Sequence, residues 1–378
     1  MRFSIRHISF LRIARLPVTI IAAGFFLSVC SRPLLSSDET ILPDSWIYPA
    51  LRSFELAGFV ELSPEIPYSR RQVERYVERI LWAVETEKED LSPRKRFLLG
   101  RLEGEFIGMA GFPSEREDAP LLQYADGNDL LALDLPVGVL VGKQVDDDDG
   151  SAWGLARPDL LLGIGGRVTL SAIYRWRLGP ERDTNISGLK PSPRERSWRG
   201  LASEFEKSLL SVSGERWRIS AGRDYLHWGN GRKEGLLLSE TARSIDHVSA
   251  TISIGRLSIH AVHALLDPER PRRLAAHRLT VRLPRGIFLG VGETVVYTGR
   301  DLDFSYLLPF SLFYANQYNE TVDDNILWGL DLKIPVTHGL IFYGELLVDD
   351  FQYESDPPAP DRIGFNITAE AMAPVGRF

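Results

Sequence analysis

The sequence predicts a mainly β fold, an antiparallel transmembrane outer-membrane β-barrel preceded by a small α-helical periplasmic domain. Three observations predict it. Hydrophobicity alternates with a period of two over the last two thirds of the chain, short and long connections alternate between the strands so defined, and an apolar leader opens the chain.

The leader comes first. Arg2, Arg6, Arg12 and Arg15 supply a positive start, Leu16 to Val29 an apolar stretch, and small residues at 28–30 or 36–37 offer cleavage positions, so residues 1–37 read as a signal peptide. The plainer reading is an uncleaved anchor helix, for which the apolar run is short. Cys30 is the one cysteine. The run Leu27-Ser28-Val29-Cys30 loosely matches a lipidation box, with Val29 where a small residue is expected. Cleavage elsewhere leaves a chain without thiols, hence without disulfides.

Residues 40–112 are expected to form the helical domain. Trp46, Leu51, Phe54, Leu56 and Phe59 recur at helical spacing before a break at Glu61 to Pro64. Ser69 reads as the N-cap of a helix carrying Val73, Tyr76, Val77, Ile80, Leu81 and Val84. Ser92-Pro93 starts a third helix with Phe97, Leu98 and Leu102 inward.

Residues 120–378 are expected to form the barrel, with about twelve strands. Val168, Leu170, Ala172, Tyr174 and Trp176 share a face opposite Thr169, Ser171 and Arg175. Leu279 and Val281 oppose Arg278, Thr280 and Arg282; Ile326, Trp328, Leu330 and Leu332 oppose Asp331 and Lys333; Ile363, Phe365 and Ile367 oppose Asn366, Thr368 and Glu370. Tight turns are expected at Gly165-Gly166, Ser213 to Glu215, Gly255-Arg256, Pro284 to Gly286 and Pro335 to Gly339. Longer connections are expected near 142–158, 179–198, 228–246, 267–274, 298–325 and 351–361. Such strict alternation suits a barrel with short periplasmic turns and long surface loops better than a soluble sandwich. Tyr174, Trp176, Trp217, Tyr225, Tyr297, Phe342 and Tyr343 fall near strand ends, where interface girdles would lie. Residues 373–376 read as a turn, not a closing strand, so the chain reads as a fragment of a larger barrel.

Net charge of −7 argues against a nucleic-acid partner. No nucleophile elbow, P-loop or dinucleotide fingerprint is present. His260 and His263 fall on opposite faces of a strand, and Asp146 to Asp149 match no calcium loop. Glu345, Asp349 and Asp350 are unsuited to a glycosidase pair, since Asp349 and Asp350 point apart. No enzymatic activity, cofactor or metal is expected.

Two segments carry candidate binding chemistry. Arg223, Asp224, Tyr225, His227 and Trp228 end a strand in a glycine-rich loop, where aromatic faces could stack on sugar rings and polar groups bond hydroxyls. Tyr314, Asn316, Gln317, Tyr318, Asn319, Asp323 and Asn325 form an amide- and tyrosine-rich loop. The plainer readings are an Arg–Asp pair fixing geometry for the first and a plug at the barrel mouth for the second.

The first segment, Gly222 to Gly231 with Gly235 to Ser239, resembles the Wzi family of capsule assembly proteins. So do Leu308-Pro309-Phe310, Asn319, Asp324-Asn325, Gly329 to Asp331, Tyr343 to Phe351, and the start from Trp46 to Arg70. Order and spacing together carry the resemblance across most of the chain. It implies an outer-membrane lectin holding capsular polysaccharide, with outer-membrane lipid around the barrel. The chain ends before the family's larger barrel does, so sites on later loops are not carried over. A porin-like channel is the rival, motivated by polar Arg175, Glu204, Glu206, Arg278, Arg282, Asp331 and Lys333 on the inward face. A third reading makes the helical start an anchor to peptidoglycan or another periplasmic partner.

Overall fold

The computed structural model describes residues 37–87, 91–107, 120–143, 150–179, 198–229, 235–239, 243–267, 272–301, 303–308, 311–320, 324–350 and 361–372. The leader, Cys30, Asp146 to Asp149, Asp323 and the terminal turn lie outside them.

Three helices come first: α1 (Ile47–Leu56), α2 (Arg70–Glu87) and α3 (Pro93–Phe106). Ser69 Oγ accepts from the Gln72 amide at the start of α2 (3.3 Å), and Ser92 Oγ accepts from Lys95 at the start of α3, with Pro93 in the first turn. Leu51, Phe54, Val73, Val77, Ile80, Leu102 and Phe106 form one apolar core. The inward face of α3 is Leu99, Leu102 and Phe106. Phe97, expected inside, is exposed, because the helical period places it opposite Leu99 and Leu102.

The strands follow: β1 (Leu122–Asp126), β2 (Asp129–Asp134), β3 (Val137–Lys143), β4 (Gly150–Ala156), β5 (Asp159–Ile164), β6 (Val168–Leu178), β7 (Leu201–Ser213), β8 (Trp217–Asp224), β9 (Ile245–Ile254), β10 (Leu257–Asp267), β11 (Arg272–Arg282), β12 (Phe288–Thr298), β13 (Asn325–Thr337), β14 (Leu340–Asp350) and β15 (Arg362–Ala371). A fourth helix, α4 (Phe313–Glu320), precedes β13. All fifteen strands belong to one antiparallel sheet in near-sequential order, more than the twelve expected.

The excess has a local cause. β2 pairs β5 and β3 pairs β4 in one continuous register, from Asp134↔Asp159 to Val137↔Ala156, so the four are a single long hairpin. It is interrupted where Pro136 and Pro158 cannot donate to a ladder. Their carbonyls still accept, from Arg157 N and Tyr174 N. The expected long connection over 142–158 is therefore mostly strand. One further correction concerns β10 and β11, which are joined by only residues 268–271. That joint lies at the end of the sheet that otherwise carries the long connections, so the alternation has an exception. The last tight turn is also shorter than expected, since β13 runs on past a bulge at Pro335 to Thr337.

The partition of side chains is the reverse of a soluble sheet. Asp331, Lys333, Arg278 and Thr280 are buried, Lys333 to 2% exposure. Their neighbours of opposite parity, Leu279, Val291, Leu330, Phe365 and Ile367, are exposed, the last two to 75%. Apolar residues face outward and charged ones inward, which is stable only where the outside is lipid or its equivalent.

The sheet curls round the amino-terminal residues. Asp38 N donates to Thr169 of β6, Thr40 O accepts from Lys207 of β7, Glu65 meets Arg278 of β11, Glu55 meets Lys333 of β13, and Arg52 meets Glu370 of β15. Laid flat, the ten strands β6 to β15 would span roughly 43 Å at about 4.8 Å each. A domain of this size has a radius of gyration of only about 11 Å. It reaches all of them only because the sheet wraps it. The helices sit at the tight-turn end, where Arg71 donates to the Gly166 carbonyl (2.6 Å) and Gly339 N to that of Leu56 (2.6 Å). The fold is that of an outer-membrane β-barrel with its amino-terminal part inside and beneath it.

Candidate functional site

The loop after β8, expected among the long surface connections, instead enters the barrel and packs there. Gly222 is held at φ 138°, with the Ser208 carbonyl occupying the space a Cβ would need. Beyond it the chain turns inward. His227 pairs with Ile66 in a two-way bridge (3.0 and 3.3 Å), and Trp228 N donates to the Leu238 carbonyl (3.1 Å). Trp228 is 1% exposed and packs with Leu226, Leu238, Val262, Leu274 and Ala276, an apolar knot inside a polar lumen. Its indole donates to His260 Nδ1 (3.0 Å).

From the opposite end, Glu61 to Pro67 rises to meet this loop. The Glu65 carboxylate accepts from Thr280 Oγ1 (2.5 Å) and Arg278 Nε (3.3 Å), and lies 3.3 Å from His260 Nδ1. Burial alone would raise the Glu65 carboxyl, but His260, Arg278 and the Thr280 hydroxyl outweigh it and bring it down to about 2. Arg278 also pairs with Asp331 through both guanidinium ends (2.5 and 2.8 Å). Across the lumen, Leu236 N donates to Glu345 (3.2 Å), and Gly229, at φ 107°, passes so close to that carboxylate that a Cβ would collide with it. Two segments from opposite ends thus meet in mid-barrel and fill it.

The first set of candidates therefore divides. Asp224, His227 and Trp228 are buried and engaged: Asp224 accepts from Thr40 Oγ1 (2.5 Å) and Tyr225 N (2.9 Å). Tyr225 is half-buried, and its burial raises its hydroxyl to about 12. Arg223 lies on the outward face, paired at both ends with Asp246 of β9 (2.7 Å each). Asp224 and Tyr225 border a cavity beside α2, and the other three are taken up in packing or pairing. The plainer reading, an Arg–Asp pair fixing geometry, describes Arg223, though with Asp246 and not Asp224.

The second set does not plug the barrel mouth. β12 keeps one register with β11 and β13, so Gly290 and Gly292 share the inward face with Arg278 and Asp331. Glu293, Val295 and Tyr297 then face outward. They are buried all the same, because residues 303–308 and 311–320 fold down over the outer wall. Phe313 of this flap meets His277 and Tyr306 edge to face, and Tyr306 meets Tyr297 of the wall at a tilt. Glu293 holds it in place: its carboxylate accepts from Phe313 N (2.7 Å) and Tyr314 N (3.0 Å) at the start of α4, and from the Trp328 indole (2.8 Å). The loop is neither a lumenal plug nor a lumenal binding site. Within it Asn316 donates to the Ser305 carbonyl (2.8 Å), Gln317 is half-buried, and Tyr318, Asn319 and Asn325 are exposed near the long-connection end. Sequence reasoning missed Glu293, His277 and His263. The signal was there: three polar residues at outward positions of a lipid-facing wall require a cover.

One further expectation changes. Tyr343 points inward beneath the Arg52 guanidinium and Tyr297 lies under the flap, so neither belongs to an interface girdle; Trp176, Trp217 and Phe342 remain exposed. Glu345 holds the plug loop and Asp349 lies 3.8 Å from Arg362, on separate duties. Among the described residues, no three His, Cys, Asp or Glu side chains gather as a metal site would require.

No protein-family model matches the sequence. No curated protein matches it either. In structure it is similar to Wzi of Escherichia coli, described as an outer membrane protein involved in group 1 capsule assembly and a carbohydrate-binding β-barrel. The TM-score is 0.52 at 12% identity, over 86% of this chain and 66% of that one, so the chain spans about two thirds of that protein's length. OmpF of Salmonella typhi, in complex with daunomycin, is similar at a TM-score of 0.32 and 11% identity, over 60% of this chain and 68% of that one, too distant to carry a conclusion. At 12% identity the first likeness shows the fold alone.

Proposed function

We propose that the protein is an outer-membrane barrel of the Wzi kind that binds a surface polysaccharide at the end carrying its long connections, without catalysing a reaction on it. The observation that carries the reading is the structural likeness to a barrel described as carbohydrate-binding, shared over most of this chain. On this reading the signal peptide directs export, outer-membrane lipid surrounds the apolar wall, and the helical domain lies on the periplasmic side.

Tyr318, Asn319 and Asn325 are the candidates left exposed at the long-connection end, with a ring to stack on a sugar and amides to bond its hydroxyls. The filled lumen favours binding over conduction, since Arg278, Arg282 and Lys333, three of the charged inward residues that suggested a channel, are held by Glu65, Glu61 and Glu55 of the amino-terminal part. The test is binding of purified capsule-type polysaccharide by the full chain in detergent, compared with Tyr318→Ala/Asn319→Ala. Saturable binding weakened about tenfold supports the reading. Absence of binding to any acidic or neutral capsule glycan, with steady ohmic conductance in planar bilayers, contradicts it.

A further inference from the structure

A cavity of about 510 Å³ lies between α2 and the inner wall of β7 to β11, at the end of the barrel opposite the long connections. Its charge is uneven. Seven arginines and five carboxylates line it, and four of those carboxylates are already committed. Asp38 pairs with Arg218 (3.4 Å), Glu61 accepts from Arg282 Nε (2.6 Å), Glu65 is held by Arg278 and Thr280, and Asp224 by Thr40. Only Glu215, exposed on the turn after β7, has no such bond among the described residues.

The arginines are not committed in the same way. Arg75 and Arg79 from α2, Arg216 from the β7–β8 turn and Arg256 from the β9–β10 turn are exposed around the cavity. Among the described residues none of the four side chains makes a hydrogen bond or ion pair. Deeper in, Arg218 leaves Nη2 buried without an acceptor. The other walls suit a polyhydroxyl molecule: Ser220, Ser249, Thr251 and Ser258 offer hydroxyls, and Tyr76 and Trp217 offer rings.

The geometry points to a second ligand site here, taking an anionic saccharide segment whose carboxylate or phosphate groups are gripped by Arg75, Arg79, Arg216 and Arg256. Guanidinium groups match both anions bidentately, and the volume falls in the range of ordinary ligand sites, roughly 300–1,000 Å³. The site goes beyond the surface reading and stands independently of it, because its residues lie at the other end of the barrel. A channel or a neutral-sugar binder could carry it equally well.

The test is isothermal titration of the full chain in detergent with trigalacturonate, maltotriose and inorganic phosphate, repeated on Arg75→Ala/Arg79→Ala and Arg216→Ala/Arg256→Ala. All four side chains are exposed, so these variants keep the fold. Expected are saturable trigalacturonate binding, none for maltotriose, and affinity at least tenfold weaker in both double variants, while binding through Tyr318 and Asn319 is untouched. Phosphate competing with trigalacturonate identifies the anion as the recognised group; failure to compete assigns recognition to the sugar carboxylates. No trigalacturonate binding, or binding unchanged in both variants, overturns the proposal.

Discussion

Lys333 Nζ lies 2.5 Å from Glu55 Oε1, with both side chains buried, and donates as well to the Leu62 carbonyl (2.5 Å). This pair fastens the end of α1 to the inside of β13. An ion removed from water in this way is tolerated only while its partner stays in place. Glu55→Ala would leave a buried ammonium with no counter-charge from α1, held by the Leu62 carbonyl and the Phe288 ring, at a cost of about 3–5 kcal/mol. The expected result is faster amide exchange over residues 47–62 with strand content unchanged by circular dichroism. Replacing both residues, as Glu55→Leu/Lys333→Met, should cost less than Glu55→Ala.

Glu65 makes the plug sensitive to acid. Its carboxyl sits at about 2 when folded, against 4.5 for the free group. A depressed folded value contributes stability that is present above pH 4.5 and lost as pH falls toward 2, about 3 kcal/mol in all. Protease protection of residues 61–67 should therefore decline between pH 4.5 and 2, and Glu65→Gln should be weaker at pH 7 and flat across that window. An unchanged acid response in Glu65→Gln would remove Glu65 as the cause.

On the outer wall, Glu293→Leu removes the acceptor for Phe313 N, Tyr314 N and the Trp328 indole together. Each orphaned donor costs about 1–3 kcal/mol. The flap formed by 303–308 and 311–320 should open, seen as at least tenfold faster amide exchange there while β11 to β13 stay protected.

Because plug segments from both ends fill the mid-lumen, the full chain should show no steady conductance in planar bilayers. Glu55→Ala/Glu65→Ala, which frees the helical side of the plug, should show intermittent openings. Steady conductance by the unaltered chain would restore the channel reading.

The alternation of β11, β13 and β15 was legible in the sequence because a strand's side-chain period is fixed and Leu330 beside Asp331 can only point apart. The destination of His227 and Trp228 was not. Locally they read as an exposed loop, and only the meeting with Ile66, far away in the chain, makes them interior. The position of the loop carrying Tyr318 was not legible for a related reason. Composition fixes what a loop can bond, whereas Glu293 and His277 on the wall behind it decide where it lies. Pro136 and Pro158 hid a continuous hairpin by breaking its pattern without breaking its register.

The central claim is a wall whose outside is apolar and whose inside is charged and filled. Single cysteines at Val291, Leu330 and Ile367, and separately at Thr280 and Ser249, with Cys30 replaced, would each carry a spin label in lipid vesicles. The account predicts that the first three are relaxed by oxygen in the bilayer and shielded from a water-soluble nickel reagent, and that the other two are shielded from oxygen. Labels at 291, 330 and 367 open to the aqueous reagent, with 280 and 249 facing lipid, would contradict it.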